Sequence, residues 1–148
     1  MKSRFWKISQ TALSTLILVV GMVVGFYSNA ILAAASGPKE HKGIEVGMLT
    51  ELPESTLKAT IGLEGYTLRM RQISVMPGGQ IAQHSHADRP GIVTMVDGTW
   101  VEGKPEGEDI YSAKTYGTFP ENENTVHWIY NRTDAPATAL VCDIAKSS

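Results

Sequence analysis

The sequence predicts an all-β sandwich or barrel, and two observations predict it. Residues 66–144 fall into short runs that are either apolar throughout or alternate apolar with polar, each bounded by Pro, Gly, Asn or Asp. After Ser36, no window of 12 or more residues carries a 3.6-residue apolar period. Closely spaced short runs with turn residues between them are how the strands of a sandwich or barrel read.

The runs span residues 66–75, 79–86, 92–96, 99–102, 109–115, 125–130 and 137–144. Breaks fall at 76–79 (Met-Pro-Gly-Gly), 97–98, 102–107 and 131–136. Asp97-Gly98 reads as a hairpin, because Gly readily supplies the positive φ of a tight turn. Residues 102–109 read as an exposed loop. Upstream, residues 36–60 read as a lead-in and edge strand, with 36–42 solvated and mobile. Residues 43–53 form a strand through which a homodimer could pair. The barrel proper is expected over residues 61–148.

The first 35 residues stand apart from this pattern. A short basic stretch (Lys2, Arg4, Lys7) precedes an uncharged apolar run over residues 11–26, and Ala33-Ala34-Ala35 follows. A basic start, an apolar centre and a small-residue end make a secretory signal over residues 1–35. An uncleaved hydrophobic helix over residues 11–27, anchoring the chain to a membrane, fits the same pattern, since about 20 apolar residues span a bilayer. Either way the barrel is expected outside the cytoplasm, periplasmic, secreted or membrane-anchored. From Ser36 onward the chain carries 10 Lys and Arg against 15 Asp and Glu, a formal charge of -5. With no basic cluster, that charge excludes nucleic acid as a partner. Cys142 is the single cysteine, so no internal disulfide can form, and its place in an apolar run reads as packing.

Chemistry concentrates in the histidines. His41 lies in the polar lead-in and reads as solvated. His84 and His86 are two apart in a strand, so both project to one face. Imidazole ligates zinc, iron, copper and nickel, and two same-face rings joined by His127 from a distant strand would make a facial three-nitrogen site with open positions. Taken without their context, the rings also fit ordinary satisfied polar residues. Alternation extends the same face to Ala82 and Gln80, to Gly91, Val93 and Met95, and to Thr125 and Ile129. Gln80, Val93, Met95, Thr125 and Ile129 are thus the expected pocket lining. Arg69 and Arg71 share a strand face and fit a solvated or paired surface stripe, or contact with an anionic substrate.

The context of the histidines resembles the cupin superfamily. Gly78, His84, His86 and Gly98 match its first motif in spacing (Gly, five residues, His-x-His, then a Glu and a Gly), and His127-Trp-Ile-Tyr-Asn131 matches the end of its second. Upstream of His127 the match is looser, with Asn122 and Asn124 where the family has Pro and Gly. The resemblance spans residues 66–144. It implies a single cupin barrel, a double-stranded β-helix of jelly-roll type behind an N-terminal hydrophobic helix, with one divalent metal on His84, His86 and His127. The family's metal-binding Glu falls at Gly91, which cannot ligate. Asp88 shares the parity of the histidines and is the candidate fourth ligand; an exposed turn Asp is the alternative reading of Asp-Arg-Pro-Gly. Three neutral ligands would leave the full +2 charge of the ion and open positions on it, favouring an anionic substrate or bound hydroxide. Three-His sites within the cupins resemble those of some iron dioxygenases, and that resemblance implies Fe(II) first, with Mn, Ni, Zn or Cu as alternatives. The expected function is metal-dependent chemistry on a small organic molecule, with oxygenase reactions first and lyase or isomerase reactions next. A non-catalytic ligand-binding or sensing module and a barrel stabilised by structural zinc are the competing readings.

Overall fold

The computed structural model describes residues 36–147. The expected signal or anchor, residues 1–35, lies outside the described residues. Among the described residues, no helix is long and apolar enough to cross a membrane.

Eight strands form the fold: β1 (Lys42–Leu52), β2 (Tyr66–Ser85), β3 (Gly91–Asp97), β4 (Thr99–Lys104), β5 (Gly107–Ser112), β6 (Thr118–Glu121), β7 (Val126–Tyr130) and β8 (Ala137–Lys146). They are ordered β5-β4-β7-β2-β8-β3-β6, with β1 added alongside β2. The result is a nearly closed barrel. Strand β2 runs through the expected break at 76–79. Its first half pairs with β8, from Tyr66↔Lys146 to Val75↔Ala137, and its second half with β7. Gly78, at φ +65°, provides the bend between the halves. Asn131 of the second motif secures it: its backbone exchanges hydrogen bonds with Gly78 and Gly79, and its amide donates to Val75 O at 2.8 Å.

Three expectations change. Asp97-Gly98 does not close a hairpin: β3 pairs with β6 and β8, whereas β4 pairs with β5 and β7. Gly98 instead turns a corner, where a Cβ would lie 2.8 Å from Ala137 Cα. Residues 102–109 are not one exposed loop, because β4 and β5 cover most of them and Glu102 is buried. Within the segment expected as lead-in and edge strand lies a helix, α1 (Glu54–Ile61), entered from Pro53 and closed by Gly62 at φ +72°. Only Leu57 of this helix is buried, so an eight-residue element with one core contact leaves little periodicity to read.

The segment 36–42 is tied down rather than loose. Gly37 N donates to Gln83 Oε1 and Gln83 N to Pro38 O, both at 2.8 Å. Any side chain at Gly37 or Gly103 would run into the buried Trp128 ring between them. The core proper is built from Ile73, Val75, Val93, Met95, Trp100, Phe119, Ile129, Ala137, Ala139 and Val141. β8 shows the expected alternation, buried at every second residue from Ala137 to Ala145.

Candidate metal centre

His84 and His127 face each other as a register pair of β2 and β7, and His86 follows at the strand's end. The three Nε2 atoms converge: His84 to His86 is 2.9 Å, His86 to His127 3.0 Å and His84 to His127 3.2 Å. Each ring is fixed through its other nitrogen. His84 Nδ1 donates to Ala82 O at 2.8 Å and His86 Nδ1 to Arg89 O at 3.0 Å, since a carbonyl can only accept. His127 Nδ1 donates to Glu102 Oε1 at 2.6 Å. Burial pushes the Glu102 carboxyl up, but its hydrogen bond to His127 and the nearby Lys104 ammonium hold it below the usual range, so it accepts as a carboxylate.

Burial also pushes His84 and His86 down to about 4, against the backbone carbonyls that support the charged form, so both are neutral near pH 7. With the protons on Nδ1, the Nε2 lone pairs of these neutral rings meet without a proton between them. Such a set is satisfied by a cation, and the three histidines could hold a metal ion. The spacing fits: nitrogens bonded to one ion at about 2.1 Å stand about 3.0 Å apart at a right angle and about 3.4 Å apart at a tetrahedral one.

The Cupin_2 domain of an XRE family transcriptional regulator from Enterobacter cloacae superposes with a TM-score of 0.52 at 14% identity, covering 72% of this chain and all of that one. A Cupin 2 conserved barrel domain protein from Salinispora arenicola CNS-205 gives 0.51 at 15% identity, covering 68% of this chain and 74% of that one. The fold is that of a cupin domain. No family model matches the chain, and no curated protein matches it in sequence.

Beside Gly91, where the cupin resemblance would put a Glu, stands Glu121. Gly91 is the register partner of Glu121 across β3 and β6, and a Cβ on Gly91 would lie 3.2 Å from Glu121 Oε2. The Glu121 carboxylate fills the space a residue 91 side chain would enter. Its Oε1 is 3.4 Å from His127 Nε2 and its Oε2 3.2 Å from His86 Nδ1. Yet Oε2 is buried without a hydrogen-bond partner, because the His86 proton points to the Arg89 carbonyl. Burial pushes the Glu121 carboxyl up to about 7, with His127 and Arg89 pulling the other way. A buried carboxylate oxygen that lacks a donor is a group awaiting a proton or a cation.

Asp88 does not occupy this position. It lies in the turn after His86, its side chain is 78% exposed, and it pairs with Lys146 at 3.1 Å. The strand ends at Ser85, so strand parity no longer governs residue 88.

The cavity beside the histidines holds about 440 Å³. Ile129 lines it as expected. Gln80, Val93, Met95 and Thr125 do not. Gln80 donates to Glu40 O at 3.0 Å, Val93 and Met95 are core, and Thr125 Oγ1 accepts from Asn122 N in the turn before β7. The register explains Gln80: Ile81 opposes Ile129 but His84 opposes His127, so β2 carries one extra residue between them. Such a bulge reverses parity, and Ile81 lines the cavity instead. His41 belongs to this rim too, with Nδ1 accepting from Ala82 N at 3.1 Å.

Sequence reasoning missed Glu102, Glu121 and Arg89 and left Arg71 open between a surface stripe and contact with an anionic substrate. Arg71 and Arg89 line the cavity. Arg69, Arg71 and Arg89 all reach Asp143, whose side chain is fully buried. For Glu121 a weak signal existed, the alternation of buried Phe119 and Glu121 around Pro120. β6 ends the strand order, and an edge strand tolerates Pro.

Proposed function

We propose that this cupin is an exported metal-dependent enzyme acting on a small organic substrate, with one divalent ion held by His84, His86 and His127 and Glu121 as its carboxylate. The observation that carries the reading is the convergence of three Nε2 atoms whose rings are all pinned through Nδ1. The near-right-angle nitrogen spacing favours an ion of octahedral preference, and Fe(II) comes first among Fe, Mn, Ni, Zn and Cu. Open positions beside a cavity with an apolar side suit an oxygenase, with lyase or isomerase chemistry next; bound iron would supply activation of dioxygen or substrate. The residues' own part is to orient and to shield. Glu102 holds the His127 ring, Glu121 brings negative charge against the ion, and Ile81, Ile129 and Trp100 keep the wall apolar. A homodimer is proposed through β1, whose Val46, Met48, Leu49 and Leu52 are exposed.

The test is to strip the protein of metal and add back Fe(II), Mn(II), Ni(II), Zn(II) or Cu(II). One equivalent should bind and raise the melting temperature, and His84→Ala should abolish both effects at modest cost in stability. No bound metal and no stabilisation by any ion would end the reading. Ligand-dependent stabilisation without turnover would instead mark a binding module. Export rests on the sequence of residues 1–35 and is tested by N-terminal sequencing of protein from fractionated cells.

A further inference from the structure

The arginines beside the metal centre carry more positive charge than their partner can neutralise. Arg69 holds Asp143 in the forked geometry, Nε to Oδ1 and Nη2 to Oδ2, both at 3.1 Å. Arg71 Nη2 then adds a third bond to Oδ2 at 2.6 Å, and Arg89 Nη1 a fourth at 3.4 Å. Each guanidinium has five donors, and one carboxylate offers about four lone pairs to three such groups. Arg71 Nε is left buried with no hydrogen-bond partner. Arg71 and Arg89, unlike Arg69, line the cavity that the three histidines open into. Arg69 and Asp143 cancel, so two positive charges remain there; Glu121, the acidic residue on the same wall, offsets at most one. The cavity is cationic before any metal is added.

Apart from His41 at the rim, the rest of the lining is apolar: Ile44, Val46, Ile73, Ile81, Trp100, Ile129 and Val141. We infer that Arg71 and Arg89 form a carboxylate subsite, and that the substrate is a small organic acid with an apolar body. Its acid group is held by the two guanidinia while a neighbouring oxygen faces the metal centre. This deepens the metal-enzyme reading and rests on it for the second anchor only. A fork of guanidinium donors matches a planar carboxylate, and the apolar wall suits a carbon chain better than a free inorganic anion. Bracing Asp143 does not use up the arrangement, because it leaves Arg71 Nε buried without a partner and a net positive charge on the cavity wall.

Two probes, lactate and mandelate, are each compared with the corresponding uncharged amide, which keeps the body and the hydroxyl and removes the charge. Binding to the purified full chain is measured by calorimetry with and without Mn(II), and metal content is assayed separately. The acids should bind about 10- to 100-fold more tightly than their amides, the range expected of charge-assisted bonds. Arg71→Met and Arg89→Met should each erase most of that preference, Arg71→Lys should keep part of it, and Arg132→Met, at the exposed pair with Glu108, should leave it intact. Should Arg71→Met fail to fold, Arg89→Met decides, since its contact to Asp143 is the longest of the three and its side chain is 31% exposed. Equal binding of acid and amide, a preference that survives both methionine variants, or inorganic phosphate binding more tightly than either acid would overturn the inference. Metal bound without an acid preference rejects the subsite and leaves the metal reading standing. An acid preference without metal binding does the reverse.

Discussion

Replacing Glu121 by Gln should make the metal-free protein more stable relative to the wild type, and increasingly so as the pH rises. In the folded chain burial holds this carboxyl near 7, against an ordinary value of 4.5. A group with a raised folded pKa binds its proton more tightly folded than unfolded. Its contribution to stability is therefore fully present below about pH 4.5 and is lost as the pH climbs to about 7. At 1.36 kcal/mol per pKa unit the loss amounts to about 3 kcal/mol. His84 and His86 act in the opposite sense. Their folded values lie near 4 against 6.5, so the stability they contribute is present above about pH 6.5 and disappears as the pH falls through about 4. Both proteins share that behaviour, so to first order it cancels in the difference between them. The assay is urea unfolding of wild type and Glu121→Gln in chelator, at half-unit steps from pH 4.5 to 8. The difference should move by about 3 kcal/mol in favour of Gln and level off above about pH 7. With metal bound the order should reverse, because Gln no longer brings a charge against the ion. A stability difference independent of pH would refute the reasoning, since Glu121 would then be neither buried nor short of a donor.

Glu102→Gln removes the charged acceptor from His127 Nδ1 and should weaken metal binding by about 10- to 100-fold, read by competition with a chromophoric chelator. Gly91→Ala should destabilise the fold by about 1–3 kcal/mol, measured by denaturant unfolding, because its Cβ would meet Cys142 O at 3.0 Å and Asp143 Cβ at 3.1 Å. Asp88→Asn should leave metal content unchanged, since Asp88 faces Lys146 and solvent.

The parts of the site legible in the sequence were those governed by local rules. His84 and His86 share a face because strands alternate, and His127 falls opposite them because the second motif fixes its place in β7. Parity failed where the backbone departed from an ideal strand. The bulge between Ile81 and His84 turned Gln80 away from the cavity, and the end of β2 at Ser85 released Asp88 to the surface. The Glu121 carboxylate was hidden for another reason. Glu121 is 30 residues from Gly91 in sequence, and only the β3–β6 register brings them together. The same holds for Arg69 and Arg71, which alternation alone could not assign to either side. It is the buried Asp143, paired across from β8, that draws them inward. Helix α1 and strand β6 were too short to carry a period.

Metal content decides whether His84, His86 and His127 hold one ion. It is measured by elemental analysis of protein purified without added metal, beside His84→Ala and His127→Ala prepared in the same way. The wild type should carry close to one equivalent of a single transition metal, iron first, and either folded variant almost none. Metal absent from the wild type, or retained in both variants, would contradict the assignment.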